Sequence, residues 1–289
     1  MSAGGLPPDR TLDLGGGVVV VVAGNPGPLT LDGTRTYLIG GGRPVLLDPG
    51  PLDGPHLDRV EAALAGRPTA AVCLTHAHAD HAEAAAAASR RWAAPIRASA
   101  GTLERLGLDG APLADGDDVP GSDDGGAGPL TALATPGHSG DHLCFFLEAT
   151  RDLFTGDLVL GEGSSMVAHP DGSVAAVLAS LDRLAALEPA RLLPGHGPPV
   201  AEAVRKLEAY AEHRLDRSEQ VRQALADGVR SFTGLRAAVY GDLPPGVARA
   251  ADLSLLAHLE HLRELGLAVP ALAPGGAGRA GRGRGLGEE

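Results

Sequence analysis

Over its first two hundred residues the chain alternates short apolar runs with amphipathic stretches, and polar Gly/Pro clusters punctuate them. Val18 to Ala23 is a β-branched run of strand type. Asn25-Pro26-Gly27-Pro28 is a turn cluster. Thr36 to Ile39 and Val45 to Asp48 predict a strand pair joined through Gly40-Gly41-Gly42 and closed by Asp48-Pro49-Gly50. Leu57 to Ala65 predicts a short helix. Ala70 to Leu74 is a wholly apolar run, the pattern of a buried strand. Ala82 to Trp92 is Ala-rich without Gly or Pro and predicts a helix. Further strands are expected at Ile96 to Ala98, Leu130 to Ala134, Leu143 to Glu148 and Leu153 to Thr155. Ser173 to Leu187 carries Val177, Leu178, Leu181, Leu184 and Leu187 on one helical face. Arg191-Leu192-Leu193 follows. Strands alternating with helices predict a layered α/β domain.

After Val200 the pattern becomes helical. Ala201 to Asp227 predicts a helix with Arg205, Glu208, Glu212, Arg214 and Arg217 on its outer faces, ended by Gly228. Thr233 to Tyr240 predicts a shorter helix and Val247 to Leu265 a longer one, with Leu255, Leu256, Leu259 and Leu262 available for packing. Leu267 to Val269 reads as a strand. The expected division is therefore 1–200, 201–270 and a disordered tail, 271–289. In that tail, the glycine-spaced Arg279, Arg282 and Arg284 could touch a nucleic-acid backbone. The absence of aromatics and the terminal Glu288-Glu289 oppose that reading.

Composition adds constraints. Aromatic residues are 3% of the chain, so its core must be built from Ala, Val and Leu. The net charge of −12 argues against broad nucleic-acid binding. Cys73 and Cys144 lie in strand-like runs and read as buried free thiols in a reducing compartment. Neither a leader pattern nor a run of membrane-spanning length is present, so a cytoplasmic protein is expected. Asp115 to Gly128 is acidic and Gly-rich. It lacks the ligand spacing and terminal Glu of a calcium loop, and reads as a surface loop.

Candidate chemistry centres on Thr75 to His81, THAHADH, where three histidines and one aspartate fall within seven residues. The stretch sits between the apolar strand and the Ala-rich helix. Strand alternation lets His76 and His78 face one way, while Asp80 and His81 follow at the helix start. That geometry suits two adjacent metal ions. Nitrogen and oxygen ligands favour zinc, or iron or manganese. Three later segments also end in ligand-type residues beside Gly or Pro: Thr135-Pro136-Gly137-His138, Gly156-Asp157, and Pro194-Gly195-His196-Gly197.

THAHADH, TPGHS, FTGDL and PGHG, in this order, resemble the metallo-β-lactamase-fold hydrolases over roughly Val18 to Val200. The resemblance implies an αβ/βα sandwich with a dinuclear metal site at one sheet edge, and makes 1–200 the catalytic domain. It implies that His76, His78 and His138 hold one divalent ion, that Asp80, His81 and His196 hold the other, and that Asp157 bridges them. Asp80 and Asp157 are the candidate catalytic carboxylates. Asp48 resembles the family's ligand-orienting aspartate, and a simple surface turn is the competing reading. His142 could support the ligands or merely start a strand. His169, on a loop after Asp157, is the candidate substrate-binding residue, with a solvated loop histidine as its alternative. His56, His213, His258 and His261 read as surface or packing residues. The helices after Val200, with GEGSSMVAHPDGS from Gly161 and NPGPLTLDGTRTYLIG from Asn25, resemble the β-lactamase-like protein 2 branch and its C-terminal winged helix. A helical cap or dimerisation element competes with the winged helix.

Such a site implies hydrolysis by a hydroxide held between two metals. No G-x-S-x-G elbow offers a serine mechanism. Three functions fit: cleavage of single-stranded RNA, hydrolysis of a thioester or other small ester in the manner of glyoxalase II, and non-catalytic nucleic-acid binding. The intact ligand set opposes the last. No membrane partner is expected, and self-association is left open.

Overall fold

The computed structural model describes residues 10–120 and 128–273. Thr11–Asp13 (β1) and Val18–Val22 (β2) open the first sheet, which continues through Arg35–Ile39 (β3) and Val45–Leu47 (β4). Gly54–Leu64 (α1) leads to Val72–Cys73 (β5). Ala79–Ala82 (α2), Ala85–Trp92 (α3), Ile96–Ala98 (β6), Ala100–Leu106 (α4) and Ala111–Pro112 (β7) follow. These seven strands lie in chain order, antiparallel as far as β4 and parallel beyond it. The second sheet contains Leu130–Ala134 (β8), Leu143–Leu147 (β9) and Asp152–Gly156 (β10). Val174–Ala186 (α5) then crosses over to Arg191–Pro194 (β11), parallel to β10.

Alternation along the strands feeds two kinds of core. Val18, Val20 and Val22 point inward and meet Phe145, Phe154 and Leu193 of the second sheet. Val21, Leu38 and Leu46 point outward against Val60, Leu64, Ala85 and Ala88 of α1 and α3. On the far side, Cys144, Leu153 and Leu192 pack beneath Val177, Leu181 and Leu184 of α5. Helix, sheet, sheet and helix layers result, the αβ/βα sandwich expected. Cys73 and Cys144 are both free and buried.

Ala203–Ala226 (α6), Phe232–Tyr240 (α7) and Pro245–Glu264 (α8) form the helical C-terminal region. Its own core gathers Val221, Leu235, Val239, Leu255 and Leu259. The first half of α6 belongs elsewhere: Ala203, Leu207 and Tyr210 share the core of α5.

Three local expectations need correction. The helix expected from Ala82 begins early, at Ala79, and is interrupted at Glu83 and Ala84. The Ala84 N–H is diverted to the Gly50 carbonyl, which breaks the helical ladder there. Leu267 to Val269 pairs with no strand among the described residues. Val269 packs into the helical core, and a single bridge joins Ser231 to Ala273. Arg214, expected on an outer face, is buried. The residue patterns of β1, α4 and β7 were too short to declare themselves. The tail beyond Ala273, including Arg279, Arg282 and Arg284, and half of the acidic stretch, 121–127, fall outside the described residues.

Candidate metal centre

The carboxyl ends of β5, β8, β10 and β11 meet at one edge of the sandwich, and each delivers a ligand-type residue. His76 and His78 follow β5, with His78 as the residue capping α2 and Asp80 and His81 within it. His138 follows β8, Asp157 follows β10 and His196 follows β11. Glycine is required at two of these ends. A Cβ at Gly195 would stand 2.6 Å from His81 Cε1 and 2.9 Å from Asp157 Oδ1. At Gly156, with φ +47°, it would stand 2.7 Å from His142 Nε2.

The side chains form two touching groups. His76, His78, His138 and Asp157 offer ligand atoms all within 4.8 Å of one another, and so do Asp80, His81 and His196. His78 Nδ1 lies 2.9 Å from His76 Nε2 and 3.0 Å from His138 Nε2. His81 Nε2 and His196 Nε2 are 3.2 Å apart. Asp157 stands between the groups: Oδ1 is 3.2 Å from His81 Nε2 and 3.3 Å from His196 Nε2, while Oδ2 is 3.9 Å from His138 Nε2. Asp157 Oδ1 is nevertheless buried without an aligned hydrogen bond. The proximity reflects convergence on a shared point, and charge attraction without a directed N–H.

The outward nitrogens explain the convergence. His76 Nδ1 meets Thr75 Oγ1 at 2.9 Å, His81 Nδ1 meets Asp48 Oδ2 at 2.8 Å, and His138 Nδ1 meets the Met166 carbonyl at 2.8 Å. His196 Nδ1 faces the Gly33 carbonyl at 3.3 Å. An acceptor on the outer side fixes the tautomer: the proton sits outward and a lone pair is aimed inward. Four imidazole lone pairs aimed this way, crowded together with His78, Asp80 and Asp157, fit divalent cations.

Electrostatics agree with that donor set. Burial lowers the His76 imidazole well below its ordinary value, and His81 and His138 add to the effect. Burial likewise takes His138 down to about 4. Burial would push Asp80 up, but His81 and His196 overcome it and hold the carboxyl at about 2. Asp157 is held well below the carboxylate range against burial by His196 and His81. Burial would lower His81, but Asp157, Asp80 and Asp48 overcome it and raise the ring well above its ordinary value. On the inward Nε2 a proton would stand where a cation would answer Asp157 and Asp80. The acids are therefore anionic, and His76 and His138 neutral, as ligation demands.

Residues expected to play supporting parts are placed clearly. Asp48 is a support: Oδ1 accepts the Thr75 N–H at 2.8 Å, and Oδ2 takes the Thr75 hydroxyl and faces His81. His142 sends Nε2 to the backbone N–H of Asp157 at 3.2 Å and Nδ1 to Thr135 Oγ1 at 3.0 Å, so it steadies Asp157. His169 does not line the cleft above the ligands. Met166, three residues earlier, does. His56 and His258 are buried packing residues with hydroxyl partners, Thr36 and Ser218.

Pattern reading missed two contributors. The Tyr210 hydroxyl accepts the Leu160 N–H at 2.9 Å, and Arg214 donates to the Ser165 carbonyl at 2.6 Å. Both fix the cleft wall from α6. Their signal was the spacing Leu207, Tyr210, Arg214, which repeats one helical face.

The family model described as "Metallo-beta-lactamase superfamily" matches residues 29–196, and "Beta-lactamase associated winged helix domain" matches residues 235–271. The chain belongs to the metallo-β-lactamase superfamily. Within the superfamily, a β-lactamase-like protein 2 homolog from Caenorhabditis elegans is 31% identical over 244 residues, covering 81% of this chain and 80% of the relative. An atrochrysone carboxyl ACP thioesterase from Aspergillus fumigatus is 31% identical over 246 residues, covering 80% of this chain and 76% of the relative. The crystal structure of a metallo-β-lactamase family protein from Thermus thermophilus has a TM-score of 0.72 at 26% identity, covering 88% of this chain and 95% of that one. The chain is thus a superfamily hydrolase with a C-terminal winged-helix domain, and the purely binding reading falls away. Among the described residues no helix is long and apolar enough to cross a membrane.

Proposed function

We propose that this chain hydrolyses thioesters with an apolar acyl group. In this reading His76, His78 and His138 hold one divalent ion, Asp80, His81 and His196 hold a second, and Asp157 serves both. Two ions held there supply an activated water at neutral pH and polarise a carbonyl. Zinc is the proposed metal, since imidazole and carboxylate ligands suit it; iron and manganese suit the same set. The free, buried Cys73 and Cys144 are consistent with a reducing, cytoplasmic setting.

The cleft lining carries the choice of substrate. The cleft has a volume of about 480 Å³. Apart from the ligand residues, Leu29, Leu31, Leu160 and Met166 supply its large apolar side chains, Thr30, Glu162, Ser164 and Ser165 its polar ones, and no Lys, Arg, Phe, Tyr or Trp is among the lining residues. An apolar wall binds an acyl chain by removing it from water. A single-stranded nucleic acid asks for cations along the backbone and rings for its bases, and this cleft offers no such cations or stacking rings. The kinship with a named thioesterase supports the same choice.

The chain's own groups then have defined tasks. The Thr34 hydroxyl donates to Asp80 Oδ2 at 3.4 Å and orients it, and His196 Nε2 lies 3.0 Å from the same oxygen, the proximity of two ligands converging on one point. Asp80 and Asp157 are the carboxylates proposed to act in turnover, both kept anionic by the surrounding imidazoles. Leu160, held by Tyr210, keeps the acyl wall in place and excludes water.

The test is turnover by zinc-loaded, full-length protein on acyl thioesters of increasing chain length and on single-stranded RNA. We expect kcat/KM to rise with acyl length. Cleavage of RNA with inert thioesters would overturn the reading.

A further inference from the structure

Arg214 is 3% exposed. Nη2 donates to the carbonyl and hydroxyl of Ser165 at 2.6 and 3.0 Å, while Nε is buried with no hydrogen-bond partner. Both of its acceptors are neutral, so no carboxylate among the described residues balances its charge through a hydrogen bond. A guanidinium is expensive to bury without a countercharge. Its neighbour adds to the imbalance. Arg217 lies 4.5 Å above the Tyr240 ring, and its Nη1 donates to Gln220 Oε1 at 2.9 Å and to the Val239 carbonyl. Nε and Nη2 of Arg217 make no hydrogen bond among the described residues.

Both arginines line a cavity of about 210 Å³ between α6, the end of α7, α8 and residues 164–166. His213, Tyr240, Ala250 and Ser254 also line it, and no Asp or Glu does. Leu29, Ser164 and Met166 are common to its wall and to that of the metal cleft, so the two spaces adjoin. Burial lowers the His213 imidazole, and Arg214 and Arg217 lower it further against a weaker opposing effect of Asp216. The two guanidiniums thus add to the effect of burial on this ring.

We infer that this cavity is a second substrate subsite, which holds a phosphate-class anion carried on the thiol arm of the thioester. The inference rests on the thioester reading of the metal cleft. Arg217 contacts the anion and Arg214 supplies the buried countercharge. The acyl group occupies the apolar cleft, and the thiol arm passes Met166 and Ser164 into the cavity. Guanidinium N–H groups pair with phosphate oxygens in charge-assisted bonds. The Tyr240 hydroxyl, buried without a hydrogen-bond partner, lines the same cavity as Arg217, so donors reach it from α7 as well as α6; that suits a phosphate, with acceptor oxygens on every side, better than a planar carboxylate.

The test uses zinc-loaded full-length protein, with the His213 ring followed by NMR. The probes are S-methyl-4′-phosphopantetheine, S-methylpantetheine, inorganic phosphate and a short single-stranded oligoribonucleotide. The methyl cap keeps the thiol off the metals. We expect the phosphorylated arm to bind at least about tenfold more tightly than the unphosphorylated one, the value of a charge-assisted pair, and to raise the His213 pKa. Arg217→Gln should erase the difference. Because Arg217 also tethers α6 to α7, Ala250→Asp serves as a second variant, since it places a carboxylate in the cavity and should exclude the anion. Equal affinity for the two arms, or an unmoved His213, overturns the subsite. So does a response to the oligoribonucleotide or to inorganic phosphate that the phosphorylated arm fails to produce. Acyl thioesters of both arms separate the two readings. Equal hydrolysis of both overturns the subsite alone. Hydrolysis of neither, with His213 still discriminating between the capped arms, overturns the thioesterase reading and supports the anion site.

Discussion

Asp48 Oδ2 lies 2.8 Å from His81 Nδ1 and accepts the Thr75 hydroxyl at the same distance. Thr75 Oγ1 in turn lies 2.9 Å from His76 Nδ1. One carboxylate therefore orients a ligand in each group, His81 directly and His76 through Thr75. Asp48 has φ +50°, a left-handed conformation that Asp and Asn tolerate better than other side chains.

Asp48→Asn keeps that backbone but removes the anion facing His81. We expect zinc affinity to fall by about 10–100-fold, the usual cost of losing a ligand-orienting partner. Competition with a chromophoric chelator measures it. Unchanged affinity for both ions would show that Asp48 orients nothing.

Asp157→Ala should act on both ions at once, because its oxygens reach toward His81 and His196 on one side and His138 on the other. Bound metal should drop well below two per chain and turnover should vanish. A variant with two tightly bound ions and normal turnover would exclude the shared role.

Metal removal has its own expected course. Protein purified without chelator should carry close to two divalent ions, lose activity in strong chelator, and regain it with zinc or manganese. Elemental analysis that finds no bound metal would refute the assignment of the seven-residue set.

The convergence of these seven residues was legible through THAHADH, TPGHS, FTGDL and PGHG, whose resemblance to the metallo-β-lactamase-fold hydrolases implied one shared sheet edge. The alternation of strands and helices made a layered α/β domain legible, and the resemblance made it an αβ/βα sandwich. What stayed hidden depends on contacts made across the fold. Arg214 looks like any charged helix residue until α8 and residues 164–166 cover it. The break at Ala84 follows from a hydrogen bond to Gly50, distant in sequence, and no local propensity records it. His142 carries no spacing that distinguishes a ligand from a support, and only its bond to the Asp157 N–H decides.

His258 should make the C-terminal region acid-sensitive. It is fully buried, its Nδ1 lies 2.9 Å from Ser218 Oγ, and burial, aided by Arg214 and Arg217, takes its pKa down to about 3. Unfolded histidine titrates near ~6.5. Below that pH the unfolded chain takes up a proton that the folded chain refuses. Stability is therefore intact above ~6.5 and falls as the pH drops toward ~3, by at most about 1.4 kcal/mol per pH unit. Denaturant unfolding across this range should show the slope, and His258→Gln should make it shallower by up to about 1.4 kcal/mol per pH unit, the rest coming from buried histidines such as His76 and His138. An equally steep acid limb in the variant would assign the sensitivity to other groups.

The junction between the catalytic region and α6 yields the last expectation. Ala203, Leu207 and Tyr210 lie in one buried cluster with Val177, Leu181 and Leu184. A chain ending at Val200 would expose the outer face of α5 to water, so we expect it to aggregate or to lose fixed packing even though every candidate ligand lies before that point. Leu207→Ala tests the contact within the intact chain and should cost about 2–5 kcal/mol, the range for a buried leucine. Tyr210→Phe is the finer probe. It removes only the acceptor for the Leu160 N–H, at a cost of about 1 kcal/mol. Since Leu160 lines the cleft and supplies no ligand, metal content should stay constant while KM for a long acyl thioester rises more than kcat falls. Metal loss in Tyr210→Phe would mean that α6 holds the ligand loops as well as the substrate wall.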